Sequence, residues 1–214
     1  MQSHEQFDPR EELANTLTHG LGLVASAVAG AVLVALAARA GDAWQIVGAA
    51  IYSAALLLLY AASTAYHGAR PGATKGVLEI FDHCAIYLMI AGTYTPFTLV
   101  ALRGPWGWSL LGVIWALALA GVVFKVAFIG RFNLLSTLVY IGMGWLVVVA
   151  AVPMVQALSA AALAWLVAGG LLFTLGTYFY QRRRFPFSHA VWHLFVLAGS
   201  VCHFFAVSTQ VVPR

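Results

Sequence analysis

Charge is what this chain has least of. Only 8% of its residues are charged and 62% are hydrophobic, whereas soluble domains carry roughly 25% charged residues. That scarcity excludes a soluble domain of 214 residues. Strand-type alternation is missing as well, which argues against a membrane β-barrel. No cleavable leader is expected, because the N-terminal stretch is acidic and the first apolar run is too long for a signal core. There are only two cysteines, Cys84 and Cys202. Both fall inside apolar segments, and Cys202 lies about 20 Å deeper than Cys84 at 1.5 Å per residue. A disulfide spans at most about 7 Å between Cα atoms, so these two read as unpaired core cysteines. Linkers, low-complexity segments and internal repeats are absent, so one domain over 1–214 is expected. The missing repeat argues against an inverted-repeat transporter.

What the chain has in quantity is apolar sequence in bilayer-crossing lengths. Cutting at charges and turn residues gives seven spans, at 13–38, 44–66, 80–102, 107–124, 134–152, 159–180 and 187–209. About 20 apolar residues cross the hydrocarbon core as a helix. The stretch from Phe132 to Gln181 carries no charge and is long enough for two passes, with a break expected near Pro153, Gln156 and Ser159. The fold class is therefore all-α, a polytopic membrane protein of seven transmembrane helices. Asp8-Pro9-Arg10-Glu11 reads as a helix start in which Asp8 caps, Pro9 takes the first position and Glu11 closes a capping box. Residues 1–12 are expected to form a cytoplasmic N-terminal segment.

The net charge of +4 would suit nucleic acid, but its distribution gives it another meaning. With the N-terminus inside, the inner segments hold Arg10, Arg70, Lys75, Lys125, Arg131, Arg182, Arg183 and Arg184, and the outer ones only Arg39, Arg103 and Arg214. This positive-inside bias predicts an N-in, C-out topology in the cell membrane and no nucleic-acid partner. Trp44, Trp106 and Trp108 sit near span ends, as an aromatic belt does.

Span parity then sorts the few polar residues by side. The second span ends at His67, the third begins near Asp82, and the last begins with His189 and His193. All four belong to the inner boundary, and ionisable groups in such segments mark working sites. His189 and His193 are four apart and share one helix face. No glutamate follows His189, so this is not an HExxH metalloprotease helix. His67 supplies a third nitrogen. Three protein ligands with an open fourth position is the pattern of a catalytic zinc, although spacing alone leaves other imidazole-binding metals open. Asp82 either binds the metal or holds its water. Ser63 lies one turn from His67 on the same face. His203 is about 15 Å deeper than His193 and cannot share that metal. It reads as an interhelical hydrogen-bonding group, as does His83, which points about 100° away from Asp82 on the helix. Glu12, Asn15 and His19 share one face of the first helix. They read first as structural, bonding neighbouring helices, with the same cavity as the alternative. His4 carries no information. In Ala91-Gly92-Thr93-Tyr94-Thr95-Pro96, Gly92 permits close helix approach, Pro96 predicts a kink, and the threonines are expected to satisfy freed carbonyls.

Three segments together resemble the hemolysin III family, a bacterial branch related to the progestin and adipoQ receptors. They are Glu11-Glu12-Leu13-Ala14-Asn15-Thr16-Leu17-Thr18-His19-Gly20, the run from Phe81-Asp82-His83-Cys84 to Thr95-Pro96, and His189-Ala190-Val191-Trp192-His193 with Cys202-His203. Ser63 to His67 adds a fourth element. The resemblance covers nearly the whole chain. It implies seven helices with the N-terminus inside, and a zinc ion near the cytoplasmic face held by His67, His189 and His193. It further implies that Asp82 holds the zinc's water, with Ser63 close by. The wider superfamily includes alkaline ceramidases, which hydrolyse a lipid amide. The expected function is an intramembrane hydrolase of lipid amide or ester bonds, with a membrane lipid as substrate or ligand. A sensor or receptor braced by structural zinc is the alternative, and a cytolysin a further one. A pore is disfavoured because spans four to six lack a continuous polar stripe.

Overall fold

The computed structural model describes residues 8–182 and 185–212. His4, Arg183, Arg184 and Arg214 therefore lie outside the described residues. The elements in chain order are α1 (Pro9–Ala40), α2 (Ala43–Gly68), α3 (Ala73–Pro96), α4 (Pro105–Phe128), α5 (Asn133–Gly144), α6 (Ala151–Ala157), α7 (Ala160–Gln181) and α8 (Ser188–Val211). A π-helical turn, Phe97–Ala101, extends α3, and a 3-10 segment, Trp145–Ala150, joins α5 to α6. Among the described residues, seven helical runs are long and apolar enough to cross a membrane.

Two boundaries differ most from the sequence expectation, for physical reasons. The third span begins at Ala73 rather than 80, because the helix carries Lys75 and Glu79 in its first turns instead of starting after them. The fifth span runs unbroken from Asn133 to Ala157. Pro153 sits in the first turn of α6, where a missing N–H costs least. The break falls at Leu158 and at Ser159, the last of the expected positions, and Ser159 caps α7 by accepting from the Ala162 N–H.

Caps fix the ends. Asp8 caps α1 with Pro9 at the first position. Glu11, expected to close the box, instead accepts from the backbone N–H of His189 at 3.4 Å. A reciprocal capping box does open α2, between Asp42 and Gln45. Arg103 joins it from the loop after α3, 3.1 Å from Asp42 and stacked over Trp44. The N–H donors of Gln45 and Trp44, with the Arg103 guanidinium, hold the Asp42 carboxyl below the usual carboxylate range. Trp44 and Trp108 pack edge to face beside it.

Helix α3 is the most enclosed of the seven spans. Small residues let its neighbours approach. A Cβ on Gly92 would lie 2.5 Å from the Ala55 Cβ of α2, and one on Gly48 would lie 3.0 Å from the Pro96 Cα. After Pro96 the helix widens rather than simply bending, and the Leu102 N–H bonds the Phe97 carbonyl five residues back. Thr93 and Thr95 donate to the carbonyls of Met89 and Ala91. Neither of these is the Gly92 carbonyl that a proline at 96 deprives of its partner. Tyr94 serves the irregular fifth span instead, donating to the carbonyls of Met143 and Gly144 and accepting from the Val147 N–H. At the periphery, α1 exposes Leu13, Leu17, Leu21, Val24, Val28 and Val32. Their helical spacing makes a stripe suited to acyl chains. Both cysteines are buried and free.

Candidate metal centre

Three imidazoles converge where α2 ends and α8 begins. His67 occupies the last turn of α2, and His189 and His193 the first two turns of α8. One ring nitrogen from each can be chosen so that all three lie within 4.8 Å of one another. Their ring centroids are 4.6 to 5.0 Å apart. His67 and His193 are buried and His189 is half-buried. The chain enters α8 through Phe187, whose φ of 59° is left-handed. Non-glycine residues hold that conformation only where their surroundings enforce it, and here it aims two histidines into the bundle.

Helix α1 packs extensively on α2 and also on α8, and its polar face meets the rings from behind. His67 Nδ1 lies 3.2 Å from Glu12 Oε2. Glu12 is itself paired with Lys75 of α3 at 2.7 Å. His193 Nδ1 faces the Asn15 carbonyl at 3.3 Å and the Thr18 hydroxyl at 3.2 Å. A carbonyl only accepts, so this nitrogen carries the proton and Nε2 keeps the lone pair. On the other side of the His67 ring, Nε2 is buried with no hydrogen-bond partner. A buried, unpartnered imidazole nitrogen beside two more imidazoles suits a divalent, nitrogen-preferring metal ion. The three histidines can therefore hold a metal ion.

The cluster opens on a cavity of about 1190 Å³. Asp82 and Ser63 line it. The Asp82 carboxyl is within electrostatic reach of His67 and of Ser63. Even so, the buried Ser63 hydroxyl lacks a well-formed hydrogen bond. Asp82 does not belong to the close group of three. His83 lies to one side, with Nδ1 2.8 Å from the Glu79 carbonyl and Nε2 3.2 Å from the Tyr180 hydroxyl. With Nδ1–H donating, Nε2 accepts from Tyr180, and His83 ties α3 to α7. His203 is on the distant wall, packed by Phe173. It also lies so close over Gly169 that a Cβ there would clash.

Sequence reasoning undervalued α1. Glu12, Asn15 and His19 all line the cavity, so the face read first as structural reaches the site. His19 stacks on His193, and both its nitrogens are buried without partners. The shared helical face was the available signal, and its direction depended on how α1 packs on α2. Sequence spacing carries no signal for Thr18, and for Lys75 it carries only a topology signal.

The profile of the family described as "Haemolysin-III related" matches residues 7–204. The chain is 49% identical over 201 residues to "Hemolysin-3 homolog" of Bacillus subtilis (strain 168), covering 94% of each. It is 46% identical over 204 residues to "Hemolysin-3" of Bacillus cereus, covering 95% of this chain and 93% of that one. "Monocyte to macrophage differentiation factor" of Homo sapiens is more distant, at 29% over 207 residues, covering 92% and 83%.

Proposed function

The chain belongs to the haemolysin-III related family of multi-pass membrane proteins, and from that premise we propose that it is a zinc-dependent hydrolase of lipid amide or ester bonds. The observation that carries this reading is the open side of the three-histidine cluster. A structural zinc site is closed by four protein ligands, whereas three ligands facing a cavity leave a position for chemistry. This cavity also brings a carboxylate and a hydroxyl beside the histidines.

A bound zinc ion supplies Lewis acidity and lowers the pKa of water toward about 7. The protein's own groups do the rest. Asp82 accepts the proton of the attacking water and passes it to the departing amine or alcohol as the carbonyl–nitrogen or carbonyl–oxygen bond breaks. The Ser63 hydroxyl, beside Asp82, stabilises the oxygen on which negative charge develops. Ile86, Ile90 and Phe97 of the cavity wall hold an acyl chain and exclude water. Helix α5 lines this cavity and touches α4 and α7 only lightly, which suits lateral entry of a lipid. The positive-inside bias supports a cytoplasmic position for the histidine end. Lysis, the activity that the names of the two Bacillus relatives suggest, would follow here from altered membrane lipid rather than from a pore.

The test is turnover of fluorogenic lipid esters and amides in liposomes by wild type and Asp82→Asn. The variant should lose about 10²- to 10⁴-fold in rate while keeping its melting temperature and zinc. A fully active Asp82→Asn protein would rule the mechanism out.

A further inference from the structure

Helix α1 contributes no metal ligand, yet its inner turns contact all three histidines. Glu11 takes the backbone N–H of His189. The Asn15 carbonyl and Thr18 take the Nδ1–H of His193. The Thr18 hydroxyl donates to the carbonyls of Ala14 and Asn15, so toward His193 it acts as an acceptor. Glu12 meets Nδ1 of His67. Each contact lies on the backbone or on Nδ1.

We propose that Lys75, Glu12 and His67 form a positioning relay: Lys75 fixes the Glu12 carboxylate, and Glu12 fixes the His67 ring so that Nε2 faces the metal. The inference rests on the zinc reading above. Lys75 is unusually well placed to hold an acid still. Its ammonium reaches Glu12 at 2.7 Å, the Tyr66 carbonyl at 3.1 Å and the Ala69 carbonyl at 3.4 Å, and it lies over the Tyr66 ring. It therefore caps the end of the helix that carries His67 while gripping an acid from α1. An ionised Glu12 is an acceptor only, so Nδ1 of His67 carries the proton and Nε2 offers its lone pair. With Nδ1 a donor, the Asn15 amide 3.5 Å away serves it best with its oxygen forward. A carboxylate behind a ligating imidazole fixes its tautomer and raises its basicity. Losing such a group costs about 10- to 100-fold in metal affinity.

Lys75 and Glu12 are positioning residues, and the readout is zinc affinity. Zinc alone would be titrated into detergent-purified, metal-stripped protein in competition with a chelating indicator. Glu12→Gln should weaken binding by about 10- to 100-fold. Lys75→Met should weaken it less, and Lys75→Arg should restore it. In the Glu12→Gln background Lys75→Met should lose less than it does in wild type, because part of the effect of Lys75 passes through Glu12. A contribution to folding alone would leave zinc affinity of the folded variants unchanged, and that result overturns the relay. Additive losses from the two substitutions overturn the link through Glu12. Should Glu12→Gln fail to fold, the Lys75→Met and Lys75→Arg pair carries the decision. If wild type itself binds no zinc, the hydrolase reading fails first and the relay with it.

Discussion

His19 lies flat against His193, with ring centroids 3.5 Å apart and 12° between the planes. Its opposite contact is the edge of Tyr60 at 5.1 Å. The ring fills the space behind a proposed ligand, and neither of its nitrogens is satisfied. His19→Phe keeps the stack and removes two unpartnered polar atoms, so it should melt at or above wild type and keep its metal. His19→Ala should lose about 1–3 kcal/mol through lost packing. Melting followed by tryptophan fluorescence, with zinc measured on the same samples, checks both. Loss of zinc in His19→Phe would make His19 a ligand and contradict the site described.

The approach of α3 to α2 depends on Gly92. Its missing Cβ is what lets Ala55 in, since the two Cβ atoms would otherwise be 2.5 Å apart. Gly92→Ala should cost about 1–3 kcal/mol. Ala55→Gly in the same chain should recover most of that loss, because it removes the clashing atom. Thermal melts of the single and double variants provide the measurement. A double variant no more stable than Gly92→Ala alone would contradict this packing.

Tyr94 holds the irregular part of the fifth span. Its hydroxyl accepts from the Val147 N–H at 2.8 Å and donates toward two carbonyls at 2.9 Å each. Tyr94→Phe leaves the half-buried Val147 N–H without this acceptor and should destabilise by about 1–3 kcal/mol. Hydrogen exchange should show faster exchange around Trp145–Ala150 in the variant. Unchanged protection there would show that the segment does not depend on the tyrosine.

Much of the site could be read before the fold was known, because parity and helical spacing are enough to gather it. His189 and His193 share a face by being four apart, and the second and seventh spans meet at one boundary by counting passes. What could not be read was set by contacts between helices. The partnership of Glu12 with His67 depends on the packing of α1 against α2, which composition does not encode. Pro96 announced a local defect but not its form, since a proline can bend a helix or be absorbed by a π-turn. Pro153 suggests a break because proline is costly inside a helix, yet in the first turn of α6 that cost is small. Cutting at charges starts the third span at 80, although a helix can carry charges such as Lys75 and Glu79 where it leaves the apolar layer.

The central claim is that His67, His189 and His193 hold a catalytic metal, and metal content tests it most directly. Elemental analysis of detergent-purified wild type would be run beside a His189→Ala, His193→Ala variant. The account expects about one zinc per chain in wild type, lost in the variant. Folded wild-type protein without metal, or a variant that keeps it, would contradict the account and leave the three imidazoles as packing groups between α2 and α8.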